Sequence, residues 1–159
     1  MPRSKAKPVH AKAAAQPTAM KVLVAVDGSI YTRRMLDFLV RNFGVNSEPP
    51  EFTVLHAVMK VSAHALAVLD RRMLKQYYQD EAAAVFRPVH RRFNKIGIEA
   101  DFIYRIGNPA EVIASTAESG GFDVVIMGAQ GTNALRRLVV GSVVSRVMAE
   151  CKVPVLLVP

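Results

Sequence analysis

Apolar positions along the chain follow two rhythms. Lys21–Val26 (KVLVAV), Phe52–Val58 (FTVLHAV), Ile98–Ile106 (IEADFIYRI), Phe122–Met127 (FDVVIM) and Val153–Val158 (VPVLLV) are short runs rich in β-branched residues. Near-continuous apolar runs such as KVLVAV suit strands covered on both faces. Between them the spacing lengthens to that of a helix. Met35, Leu36, Leu39, Val40 and Phe43 predict a helix over Ile30–Phe43, ended by Gly44, with Glu48-Pro49-Pro50 as a turn. Lys60–Ala65 reads as a loose segment. Leu66–Ile96 reads as one long amphipathic stretch, with Leu69, Met73, Tyr77, Val85, Val89 and Phe93 sharing a face. Pro88 is expected to kink or split it, because it lacks a donor and crowds the preceding turn. Asn108 as cap, Pro109 at the first position and Glu111 completing a capping box predict a helix to about Ser119, stopped by Gly120-Gly121. A last helix is expected over Ser142–Cys151.

Strands alternating with helices imply parallel pairing through right-handed crossovers. The expected fold is therefore α/β: a doubly wound, five-stranded parallel sheet sandwiched by helices. Such sheets bind ligands outside the carboxyl ends of their strands, where the strand order reverses. That rule points to Asp27, Ala57–Val58, Gly107 and Gly128–Gly131.

Composition narrows the picture. With 159 residues, 51% hydrophobic and 21% charged, the chain suits one soluble domain, over residues 21–159. No apolar run approaches the roughly 20 residues that span a bilayer. Half of the +8 net charge comes from Arg3, Lys5, Lys7 and Lys12, in a first twenty residues that hold no acid. This stretch has little to bury and reads as a disordered, basic, solubilising extension. Lys12, Gln16 and Pro17 interrupt any secretory h-region, so a cytoplasmic location is expected. The extension carries no aromatic side chain and no nucleic-acid-binding motif, which ranks nucleic acid last among partners. The single cysteine, Cys151, has no internal disulfide partner.

The candidate chemistry lies in MGAQGTNALRRLVVGSVVS, Met127–Ser145. Its spacing is Gly128-x2-Gly131-x9-Gly141-Ser142. Glycines in a turn allow positive φ and leave backbone N–H groups uncovered, which forms an anion nest. Gly141-Ser142 opens the final helix, whose free N–H groups and dipole favour negative charge. A tight turn followed by a serine cap would leave the same trace. The order of glycines after a buried strand favours a polyphosphate.

This pattern resembles the ATP-binding signature G-x2-G-x9-G-[S/T] of universal stress proteins. KVLVAVDGS, VLHAV, GNPAEVI, DVVIMGAQG and VPVLLVP are similar, in order, to further segments of that family. The resemblance covers nearly all of the chain after the basic extension. It implies a Rossmann-like fold of the adenine nucleotide alpha hydrolase type, ATP as ligand, with Mg2+ in some cases, and a homodimer. An apolar final strand at a sheet edge, open to pairing, supports the dimer. Position by position, the resemblance implies that Asp27 lies near the ribose and adenine, that Ala25 lines the same wall, and that the main chain of Ala57 meets adenine. Met127 becomes an apolar residue at the mouth of the fourth strand, and Gly128, Gly131, Gly141 and Ser142 become phosphate positions. Asp27 also has a local reading, as the start of an Asx turn. Between the first two glycines the family often has Ser, then His or Arg; here Ala129 and Gln130 stand instead. Arg136 and Arg137 can supply guanidinium forks to phosphate, or face solvent.

Other constellations carry less. His56 in a strand reads as a core histidine bonded to backbone. His10, His64 and His90 show no metal-ligand spacing with Cys151. There is no P-loop and no G-x-G-x-x-G fingerprint. Phosphoryl transfer needs a positioned nucleophile and base, and no convincing base stands out. The expected activity is that of a nucleotide-responsive regulator or adaptor in a stress response. The alternatives are a dimerising interaction protein without useful nucleotide binding, and a weak ATPase.

Overall fold

A computed structural model describes residues 19–43, 49–130 and 140–159. The element order is β1 (Lys21–Ala25), α1 (Ile30–Phe43), β2 (Glu51–Val58), α2 (Ala63–Val68), α3 (Arg71–Ile96), β3 (Ala100–Ile106), α4 (Pro109–Ser119), β4 (Val124–Gly128), α5 (Ser142–Glu150) and β5 (Val155–Val158). The strands form one sheet in the order β3-β2-β1-β4-β5, every pair parallel. The doubly wound five-stranded sheet expected from the sequence is the one observed.

Side-chain alternation divides the core into two layers. Val22 and Val24 of β1 and Val26 just after it pack with Met35, Leu36 and Leu39 of α1 and with Phe86, Val89 and Phe93 of α3. Leu23 and Ala25 face the other way, onto Ala110, Ile113 and Ala117 of α4 and Val144 and Val147 of α5. The chain winds outward from β1 through β2 to β3. It then crosses back to β4 and β5, which puts the later helices on the opposite face, as right-handed crossovers require. The reversal falls between β1 and β4.

Several local expectations need correcting. The end of the loose segment is helical, forming α2 (Ala63–Val68). The long stretch does not begin at Leu66. Asp70 breaks it, in an extended conformation, and its side chain accepts the Met73 N–H at 2.8 Å to cap α3. Pro88 does not split α3, which is continuous over its 26 residues. A mid-helix proline costs about 3 kcal/mol. Full burial of a side chain such as Phe93 returns about 1.5–3 kcal/mol, and Val89 and Phe93 beside the proline are both completely buried. The buried face of α3 is Tyr78, Ala82, Phe86, Val89 and Phe93, whereas Met73 and Tyr77 are exposed. Periodicity located the stripe in the second half of the helix and missed it in the first.

The helix after GNP forms over Pro109–Ser119, with the Asn108 side chain accepting the Ala110 N–H at 3.1 Å. The Glu111 half of the capping box is not used that way; its carboxylate pairs with Arg146 of α5 at 3.2 Å. The expected stop at Gly44 and the whole of residues 1–18 lie outside the described residues. Among the described residues, no helix is long and apolar enough to cross a membrane.

Candidate functional site

The site is built where β1 and β4 end. Ala25 is the register partner of Met127 across this pair and of Leu55 on β2. Ala25 and Met127 are buried on the α4/α5 side of the sheet. Ala57 lies two residues beyond Leu55, on the same side by strand alternation, and is partly exposed. Ala25, Ala57 and Met127 thus stand on three adjacent strands, β1, β2 and β4.

Asp27 follows β1 and serves the loop. Its Oδ1 accepts the Ser29 N–H at 3.0 Å, closing an Asx turn, and the Thr32 hydroxyl at 2.8 Å. The Asp27 N–H in turn donates to Thr32 Oγ1 at 3.1 Å. Gly28 between them takes φ +76°, which a glycine adopts without strain. The local reading of Asp27 therefore holds. Ser29 caps α1, its Oγ accepting the Thr32 N–H at 3.3 Å. This cap was legible as a serine directly before an amphipathic run. Thr32 carried no such signal.

The end of β4 is clamped from three directions. The Ala129 N–H donates to the Val158 carbonyl at 2.9 Å, continuing the β4–β5 ladder. The Ala129 carbonyl accepts the Gly141 N–H at 3.2 Å. Tyr31 of α1 donates its hydroxyl to Gln130 Oε1 at 2.7 Å. Gly128 does not have positive φ. It is required for space instead: a Cβ there would lie 2.7 Å from the Tyr31 Cβ. The turn explanation for this first glycine is replaced by close approach of α1 to β4.

Gly141 is the N-cap of α5, in extended conformation, and as a glycine it makes no side-chain capping bond. Ser142 occupies the first helical position and is exposed; it is not the capping residue. The first-turn amides of α5 follow directly from an N-cap that is itself bonded to the end of β4. These amides and the helix dipole favour an anion there. Gly131, Arg136 and Arg137 lie outside the described residues.

His56 has the structural role expected of it. Its Nδ1–H donates to the Val26 carbonyl at 2.8 Å, and its ring meets Phe86 edge-on. Tyr31 and Gln130 were missed as a pair by sequence reasoning. They are 99 positions apart, and no spacing rule links them.

The model of the universal stress protein family matches residues 18–159. The chain belongs to the universal stress protein family. Universal stress protein YxiE of Bacillus subtilis is 25% identical over 146 residues, covering 87% of this chain and 97% of that protein. Among solved structures, MJ0577 of Methanocaldococcus jannaschii superposes with a TM-score of 0.74 at 24% identity, covering 89% of this chain and 96% of that one. A universal stress protein family protein of Arabidopsis thaliana with AMP bound has a TM-score of 0.61 at 16% identity, over 87% of this chain and 90% of that one. These likenesses establish the fold as that of a universal stress protein.

Proposed function

We propose that this universal stress protein binds an adenine nucleotide, ATP foremost, in the crevice between β1 and β4, and acts as a nucleotide-responsive regulator or adaptor in a stress response. One observation carries the reading. The N-terminus of α5, without a side-chain cap, is fastened by the Gly141–Ala129 bond to the end of β4, beside the apolar Ala25–Met127 pair. An anion-favouring helix start next to an apolar wall at a strand-order reversal suits a flat base joined to a phosphate chain. The solved relative with AMP bound supports the adenine class.

In this reading Ala25, Ala57 and Met127 face the base. Asp27 accepts from ribose hydroxyls, or holds Mg2+ through water, with the carboxylate its loop already orients. Gly128, Gly141 and Ser142 meet the phosphates. Gly131 is assigned to the phosphates by family resemblance, and Arg136 and Arg137 by the fit of a guanidinium fork to phosphate oxygens. We further propose a homodimer through β5, an edge strand whose Leu156 is exposed.

The test is mass spectrometry of nucleotide released from protein purified without added ligand. A stoichiometric adenine nucleotide is expected. Its absence, with no rise in thermal stability in Mg-ATP, would remove the nucleotide claim. At a ligand concentration of 100 times Kd the stabilisation should be about 2.7 kcal/mol.

A second reading, a dimerising interaction protein without nucleotide binding, is favoured by one feature. The Ala129 N–H, a candidate phosphate donor, is already bonded to the Val158 carbonyl. Light scattering showing a dimer, with no response to ATP, would select it.

A further inference from the structure

We propose that Tyr31 is a positioning residue for the phosphate chain, acting through its hydrogen bond to Gln130 to hold the end of β4 and the first turn of α5 in one fixed arrangement. The proposal rests on the nucleotide reading above and names a residue that this reading did not use.

The hydroxyl of Tyr31 donates to Gln130 Oε1 at 2.7 Å in a partly buried setting. Tyr31 is itself well fixed. It stands in the first turn of α1, between the Ser29 cap and Thr32, and Thr32 is bonded to Asp27 in both directions. The Arg34 guanidinium lies 5.4 Å from the centre of the Tyr31 ring. Gly128 has no Cβ, so the backbone of β4 comes directly against the Tyr31 side chain. The Cβ of Tyr31 thus stands against one residue of the segment Gly128–Gln130, and its hydroxyl bonds another.

Between those two residues sits Ala129, whose carbonyl accepts the Gly141 N–H at 3.2 Å. A shift of the Gln130 peptide would move that carbonyl and, with it, the N-cap of α5. Amides bind an anion tightly only when they already point at it, because ordering them on binding costs affinity. Tyr31 carries this pre-ordering from α1 across the strand-order reversal. It also accounts for the glutamine: an arginine at position 130 has no acceptor for a tyrosine hydroxyl, whereas a glutamine does.

The test compares Tyr31→Phe, Gln130→Met and the double variant in the full chain, by calorimetric titration with ATP and, separately, with adenosine. Tyr31→Phe keeps the Cβ against Gly128 and removes only the hydroxyl. Loss of one hydrogen bond that orders the site should weaken ATP binding about three- to tenfold. The double variant should lose no more than either single one. Adenosine, which has no phosphates, should bind all four proteins alike. Amide hydrogen exchange at Ala129 and Gly141 in the ligand-free protein should be faster in each variant. A purely structural role would weaken ATP and adenosine together, and that result overturns the proposal, as does an unchanged ATP affinity or additive losses. If Tyr31→Phe lowers the folded yield, Gln130→Met alone decides by the same comparison. Failure of the wild-type chain to bind ATP overturns the nucleotide reading as well. Binding by the wild type without the selective loss overturns the role of Tyr31 alone.

Discussion

The amide of Gly141 donates to the carbonyl of Ala129 across 3.2 Å, joining the N-cap of the last helix to the residue after β4. Twelve positions separate the two in the chain, yet one hydrogen bond makes them neighbours. Gly141 has φ −60° and ψ 149°, values that proline also adopts. Gly141→Pro should therefore remove this donor without backbone strain. Losing the bond and leaving the Ala129 carbonyl without this donor should cost about 1–3 kcal/mol, more than the stiffer unfolded chain returns. Urea unfolding should show a modest net loss, while ATP affinity measured by calorimetry falls. A large loss of stability would show that the bond holds the fold rather than the site.

Gly128→Ala should destabilise the protein by about 1–3 kcal/mol through overpacking against Tyr31. The added Cβ would stand 2.7 Å from the Tyr31 Cβ and 3.2 Å from its carbonyl carbon, so the start of α1 must move. Gly97→Ala is the contrasting case. Space there is open, and only φ +70° opposes the substitution. It should cost about 1–2 kcal/mol. Chemical denaturation of both variants, with ATP titration alongside, checks the difference. Only the change at Gly128 should lower nucleotide affinity.

Asp27→Ala and Asp27→Asn should separate. Alanine leaves the Ser29 N–H and the Thr32 hydroxyl without the oxygen they share, at a cost of about 1–3 kcal/mol. Asparagine keeps a carbonyl oxygen for both donors and should stay close to wild type in thermal unfolding. Any drop in nucleotide affinity in Asp27→Asn then reports the lost charge and the second carboxylate oxygen, and not a disordered loop. Equal destabilisation by the two substitutions would contradict the hydrogen-bond account.

Pro88→Ala should raise stability. It restores a backbone donor and removes a ring from the middle of a 26-residue helix whose flanking Val89 and Phe93 are already buried. A gain of about 1–3 kcal/mol is expected, seen as a higher melting temperature. No gain would mean that α3 has bent to relieve the proline.

Arg146 reaches Glu111 of α4 at 3.2 Å and Glu150 at 3.4 Å, with all three side chains well exposed. Arg146→Ala should cost less than about 1 kcal/mol and lose even that at high salt. Thermal melts at two ionic strengths suffice to check it.

The sheet was legible because its central strands β1 and β4 are buried on both faces. Five apolar runs separated by helical periods leave few other arrangements, and the helix bounds Ile30–Phe43 and Pro109–Ser119 could be read directly from caps and spacing. Asp27, Gly128 and Gly141 could be singled out because glycine and aspartate mark turns. Their partners could not. The first half of α3 misled because Met73 and Tyr77 have the spacing of a buried stripe but are exposed, the buried face of the helix beginning at Tyr78.

Sequence by itself therefore determined the order of the five strands and the class of the fold, since both depend on patterns local in the chain. Tertiary structure alone decided that Gly128 is small to admit Tyr31, that Gln130 answers the Tyr31 hydroxyl and that Glu111 turns to Arg146 instead of its own helix start. Those choices depend on which distant segments meet when the sheet closes, and contact across a sheet leaves no period in the chain.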